Sequence, residues 1–243
     1  MSEQRNGFGP HGPELNPGLD GAGLAEAFAR QRLIQIPSVL GTASAERLHR
    51  ALTHETPWTL SHNIDGTCRQ VANLAPEDRL KLALGDRHRA RENFAFFHDS
   101  HALSDDGEPY ARPGHPFAGL VSFLNAPGFL SFIRRVTGLD EIGLADAEAT
   151  LFRPGDYLTR QDGTAAGKNR LAAYVLSMTP AWRLDWGGAL EFIGGSGHIA
   201  KGFVPNFNTL TVFAVPRIHF VSQVALHGGL RYAVSGWLRS GGR

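Results

Sequence analysis

Cysteine is almost missing from this chain. A single residue in 243, Cys68, rules out an intrachain disulfide, so the fold is not expected to depend on an oxidising compartment. Neither sign of charge dominates. Twenty-four Lys and Arg stand against 23 Asp and Glu, a net of +1, which gives no electrostatic reason to expect nucleic acid or an anionic membrane as partner. No stretch approaches the roughly 20 apolar residues of a membrane span. The first 23 residues are polar, rich in Gly, Pro and Asn, and hold no apolar run of signal-peptide length. These absences predict a soluble, cytoplasmic protein with a flexible segment over residues 1–23.

What is present is the material of a globular domain: 42% hydrophobic and 19% charged residues suffice for a buried core. A single domain is expected over residues 24–243, in two parts. Residues 24–143 read as helix-rich. Leu24 to Arg30 suits a short helix and Leu33 to Ile36 a short strand. Ser44 is a plausible N-cap for a helix carrying Leu48, Ala51 and Leu52 on one face. Residues 58–63 suit a strand, residues 86–97 a helix, and residues 99–116 a Pro- and Gly-rich loop. A helix is predicted to start at Pro127, present Phe129, Phe132, Ile133 and Val136, and stop at Gly138.

From about residue 144 the period changes from helical to alternating. Short β-branched and aromatic runs follow one another through residues 147–152, 157–160, 170–177, 189–193, 209–215, 219–224 and 231–238, separated by Gly, Pro and Asn. Repeated short strands of this kind indicate a sandwich or barrel. The architecture read from the pattern is α+β, a helical layer supporting a C-terminal β-sandwich at residues 144–239.

The wording of these strands is specific. YLTRQDG over residues 157–163, GKNR over 167–170, AYVL over 173–176 and DWGG over 185–188 are followed by PNFN over 205–208. Then come TVF over 211–213, HFVS over 219–222 and RYAVSGW over 231–237. In this order the runs resemble the prolyl-4-hydroxylase-like branch of the Fe(II)/2-oxoglutarate oxygenases. The resemblance implies a double-stranded β-helix of jelly-roll, cupin-like form, Fe(II) and 2-oxoglutarate as cofactors, and C–H hydroxylation of a peptidyl or small-molecule substrate. In that family a His-x-Asp pair and a distant His hold iron, and an Arg binds the far carboxylate of 2-oxoglutarate.

Carried over by position, the distant ligand falls on His219 and the arginine on Arg231, with Ser235 on the same strand face as Arg231 by period two. The His of the pair falls on Gln161 and its Asp on Gly163. Gln161 is a weak ligand at best and Gly163 offers no side chain, so both ligand positions are altered. Asp162 is an alternative carboxylate only if a bulge turns it inward. Four readings follow from this departure: an oxygenase with an altered metal centre, a silent relative retained for binding or regulation, an ordinary hydroxylase substituted at two ligand positions, or a halogenase-like variant with Gly163 opening a coordination site. Under the positional assignment, Gln161→His with Gly163→Asp is expected to raise iron affinity by orders of magnitude.

Other residues have blander readings. Trp182, Trp186, Trp237 and Tyr174 are expected in packing, and Asn206 and Asn208 in turn geometry. Arg153, Tyr157 and Thr159 are candidates for the pocket mouth. His98, His101 and His115 read as exposed loop histidines.

Overall fold

The computed structural model describes residues 12–64, 67–105, 107–110 and 115–241. In chain order, helix α1 (Gly21–Gln31) leads into strand β1 (Leu33–Pro37). Helix α2 (Thr42–Arg50) continues through a π-helical turn, Ala51–Glu55, toward the hairpin of β2 (Thr59–Ile64) and β3 (Thr67–Val71). Helix α3 (Pro76–Arg89), strand β4 (Phe96–Ala102), the ribbon of β5 (Ser104–Asp105) and β6 (Glu108–Pro109), and helices α4 (Pro116–Leu124) and α5 (Pro127–Thr137) come next. The rest is strand: β7 (Ile142–Ala145), β8 (Glu148–Phe152), β9 (Tyr157–Gln161), β10 (Arg170–Ser177), β11 (Leu190–Ile193), β12 (Ile199–Phe203), β13 (Thr209–Ala214), β14 (His219–Val221) and β15 (Arg231–Ser240).

Thirteen strands join in one antiparallel sheet, in the order β1-β13-β10-β15-β8-β4-β9-β14-β11-β12, with β2–β3 attached at β4 and β7 at β15. The sheet curls until β11 and β14 face β13. Phe192 and His219 lie 5.0 and 4.7 Å, ring centre to ring centre, from Phe213. This is the double-stranded β-helix, and the helices cover one outer face of it.

Alternation sorts the side chains of the central strands between the two sides. Tyr174, Leu176, Leu210, Val212, Val234 and Leu238 point to the helices and pack with Phe28, Leu48, Leu120, Phe132 and Ile133. Their sequence neighbours Ala173, Phe213 and Phe152 point the other way, into a second apolar cluster with Leu190, Phe192 and Val221. Helix α5 begins at Pro127 and ends on Gly138, whose left-handed φ of 66° lets its N–H reach Arg134 O at 2.7 Å. Helices α4 and α5 together are apolar enough for a bent membrane pair, yet they are buried in the helix-side core. Among the described residues no single helix is long and apolar enough to cross a membrane.

The structure departs from the sequence reading in several places; within the stretch read as a loop, residues 99–102 end strand β4 and β5 pairs with β6. No helix spans residues 86–97, because α3 ends at Arg89 and Phe96–Ala102 is a strand with neighbours on both sides. Ser44 does not cap α2; it lies inside the helix, and its hydroxyl accepts from Glu14 N at 3.2 Å. Part of the segment expected to be flexible, residues 1–11, lies outside the described residues. Beyond it the chain is tied down: Leu15 bridges Leu40, and Asn16 N donates to Val39 O at 2.9 Å.

Candidate functional site

The inward faces of the curled sheet enclose a cavity of about 440 Å³. Arg231, Ser235 and Trp237 reach it from β15, Glu148, Thr150 and Phe152 from β8, and His98 from β4. Gln161 and His219 enter from the opposite side. Phe94 and Cys68, both with exposed surface, mark its mouth. The structure thus brings Gln161, His219, Arg231 and Ser235 together around one space, although β9, β14 and β15 are far apart in sequence.

Arg231 is the electrostatic centre of the cavity. It is 3% exposed, forms no hydrogen bond or ion pair among the described residues, and its guanidinium lies 4.9 Å from the Phe152 ring centre. Burial pulls it down to about 10. His98 stacks on the same ring at 4.6 Å with planes 7° apart, and its Nδ1 has no partner. Burial first, and the nearby Arg231 charge second, lower His98 to about 4, so the imidazole is neutral. A buried cation without an anion is costly unless something supplies one.

His219 and Gln161 stand directly opposite each other across the β14–β9 pairing. His219 Nδ1 lies 2.8 Å from the carbonyl of Arg217; a carbonyl only accepts, so Nδ1 carries the proton and Nε2 is left as a lone-pair site. Burial lowers the basicity of the ring. Asp162 takes no part in lining the cavity. It is exposed, and its Oδ1 accepts from Thr164 N at 2.9 Å and Thr164 Oγ1 at 2.7 Å, a local turn cap.

Gly163 is buried with a left-handed φ of 85°. A Cβ there would come within 2.9 Å of Trp237 Cζ3 and 3.3 Å of Val215 Cγ2. Trp237 is itself held, since the Arg170 guanidinium packs 3.8 Å from the indole ring centre and donates to Gly163 O at 3.0 Å. The space a carboxylate would need is filled by the indole, so Gly163 opens no coordination slot.

Iron is the cofactor that family resemblance implies, and these donors do not fit it. Among the described residues no group of three His, Cys, Asp or Glu side chains is placed to hold a metal ion. One imidazole and one neutral amide are a poor set for a first-row divalent metal. A carboxylate-bearing ligand, in contrast, fits Arg231.

The pocket-mouth residues expected from sequence lie elsewhere. Arg153 Nε binds Asp99 at 2.6 Å in a polar cleft beside α3, Tyr157 is buried in a small core with Leu60 and Phe97, and Thr159 Oγ1 accepts from Ala95 N at 2.8 Å. Trp237 is not mere packing, since it lines the cavity. His115 caps α4 through Nδ1, and His101 is half-buried on β4. Sequence reasoning missed His98 and Glu148. The alternation of Glu148, Thr150 and Phe152 along one strand was the available signal for the latter.

Comparison with known proteins agrees with the fold. Residues 147–239 match the 2OG-Fe(II) oxygenase superfamily. Mouse (Mus musculus) prolyl 3-hydroxylase OGFOD1 is 26% identical over 159 residues, 63% of this chain and 28% of the relative. The chain therefore spans little more than a quarter of that protein. A Pseudomonas putida prolyl-4-hydroxylase superposes with a TM-score of 0.57 at 19% identity, covering 91% of this chain and all of the other. A Trichoplax adhaerens prolyl hydroxylase, solved with a hypoxia inducible factor peptide fragment, gives 0.58 at 13% identity, covering 90% and 89%. The similarity to the 2OG-Fe(II) oxygenase superfamily thus lies in residues 147–239, and the fold is the double-stranded β-helix shared with these solved structures.

Proposed function

We propose that this protein binds a 2-oxoglutarate-type carboxylate at Arg231 without assembling an iron centre, and serves as a binding or regulatory relative of the oxygenases. The observation that carries this reading is the buried guanidinium of Arg231, without a hydrogen-bond or ion-pair partner among the described residues, lining an open-mouthed cavity. A carboxylate accepts from guanidinium in a bidentate, charge-assisted way and supplies the missing anion. Ser235, on the same strand face, is the second polar group for that end of the ligand.

The alternative is an oxygenase that hydroxylates C–H bonds of a peptidyl or small-molecule substrate at an altered centre built on His219 and Gln161. The free Nε2 of His219 and the prolyl hydroxylase relatives favour it. Calorimetry of metal-free protein with 2-oxoglutarate, followed by Fe(II), separates the two. Saturable binding of 2-oxoglutarate without metal, with no visible charge-transfer band on adding Fe(II), is the expected result. A band with retained iron and consumption of 2-oxoglutarate would establish the alternative, and no binding under either condition would overturn both.

A further inference from the structure

Arg231 accounts for one end of the cavity only. Along β8 and β15 the register sets Arg231 against Phe152 and Ser235 against Glu148. Arg231 and Glu148 are thus four residues apart along paired strands, about 13 Å at roughly 3.3 Å per residue. Both line the same space.

Glu148 mirrors the situation of Arg231 with the opposite sign. No Lys or Arg among the described residues pairs with it. Asp146, the other acid lining the cavity, already binds Arg239 at 3.1 Å. Enclosure pushes the Glu148 carboxyl upward, only partly offset by a hydrogen bond from Ser100. Ser61, Ser104 and Cys68 line the cavity as well, and among its described lining residues Arg231 is the one Lys or Arg. By the register Thr150 stands between the two ends, with Phe152 level with Arg231 and Val175 level with Glu148; Leu158, Leu190 and Val221 also line the cavity and suit methylene groups.

We infer that the cavity takes one elongated ligand bearing a carboxylate for Arg231 and a primary amine for Glu148, of the ω-amino acid class. Such a ligand supplies Arg231 with an anion and Glu148 with a cation, and sets its methylene chain along Phe152 and Val175 past Thr150. A second carboxylate at the far end would instead face Glu148. The inference rests on the carboxylate reading of Arg231.

The test titrates the full, metal-free chain with a homologous series of ω-aminoalkanoates and with n-alkanoates of matched length. At the spanning length the amine is expected to tighten binding about tenfold, the scale of one charge-assisted hydrogen bond. Glu148→Gln, which keeps shape and hydrogen bonding, is expected to erase the difference within each matched pair. If alkanoates bind but the amine gives no gain at any length, or its gain survives Glu148→Gln, the inference falls while the carboxylate reading stands. If neither series binds while 2-oxoglutarate does, the inference falls alone; if 2-oxoglutarate fails as well, both fall. Circular dichroism of the variant confirms that a lost difference reflects the site and not unfolding.

Discussion

The indole of Trp237 occupies the place that a side chain on Gly163 would take, with Cζ3 2.9 Å from the position of a Cβ. The two residues are complementary: a positive φ and an absent side chain at 163 admit the ring, and Arg170 packs against the ring while bonding the Gly163 carbonyl. Restoring the iron ligands therefore needs more than two substitutions, contrary to what the motif alone suggests. Gln161→His with Gly163→Asp is expected to leave iron affinity near that of the parent. Adding Trp237→Ala makes room for the carboxylate and is expected to raise affinity at least tenfold, about 1.4 kcal/mol. Metal content after anaerobic loading and desalting reads both; tight iron in the double variant would show that the indole yields easily.

Arg231 is expected to be a binding group and a stability liability at once. Arg231→Leu removes a buried cation that has no anion, so the ligand-free variant is expected to be as stable as the parent or more so, by on the order of 1–3 kcal/mol. The same variant loses all stabilisation by added 2-oxoglutarate. Urea unfolding with and without the ligand measures both, and a variant destabilised by several kcal/mol would mean the guanidinium holds the fold together.

Acid sensitivity should trace to His98. Folded, it takes its proton only near pH 4, whereas an ordinary histidine does so near 6.5. The unfolded chain therefore binds more protons between those values, and stability falls as pH drops through that window. The total is on the order of 3 kcal/mol. His98→Gln is expected to flatten the stability profile there, and unfolding curves at neutral and mildly acidic pH test it. An unchanged slope would place the titrating group elsewhere.

Helix α3 is pinned to the sheet by Arg79, which bonds Asp99 and bridges both oxygens of Asp156 at 2.8–2.9 Å. Arg79→Met strips a partner from two carboxylates that are 5% and 2% exposed. A loss of about 3 kcal/mol is expected, and Asp156→Asn in the same chain should recover part of it. Hydrogen exchange is expected to rise first in α3. Full protection in the single variant would show that α3 is held by its apolar face alone.

The C-terminal sheet was legible because its apolar residues alternate and its turns carry Gly, Pro and Asn, and the resemblance over residues 157–237 pointed to His219 and Arg231, which line one cavity. Strand β4 was not legible. Its sequence FFHDSHA looks polar and loop-like, yet each polar side chain on its interior is met from elsewhere: Ser100 by Ser61 at 2.7 Å, Asp99 by Arg79 and Arg153, and His98 by the Phe152 ring. Those partners are distant in sequence, so no local pattern announces a buried strand. Glu148 was hidden for a related reason. A lone acid at a strand start looks like a solvated residue until the sheet curls and closes over it.

Strand β15 carries the helix-side core on even-numbered positions, Val234 and Leu238, and the cavity on odd ones, Arg231, Ser235 and Trp237. Its identity is thus a matter of parity. A one-residue insertion after Gly229 would leave every side chain chemically intact while exchanging the roles of oil and charge along the strand. Point changes such as those at 161 and 163 can rewrite what the cavity holds, whereas a shift of phase would abolish the distinction between its inside and its support.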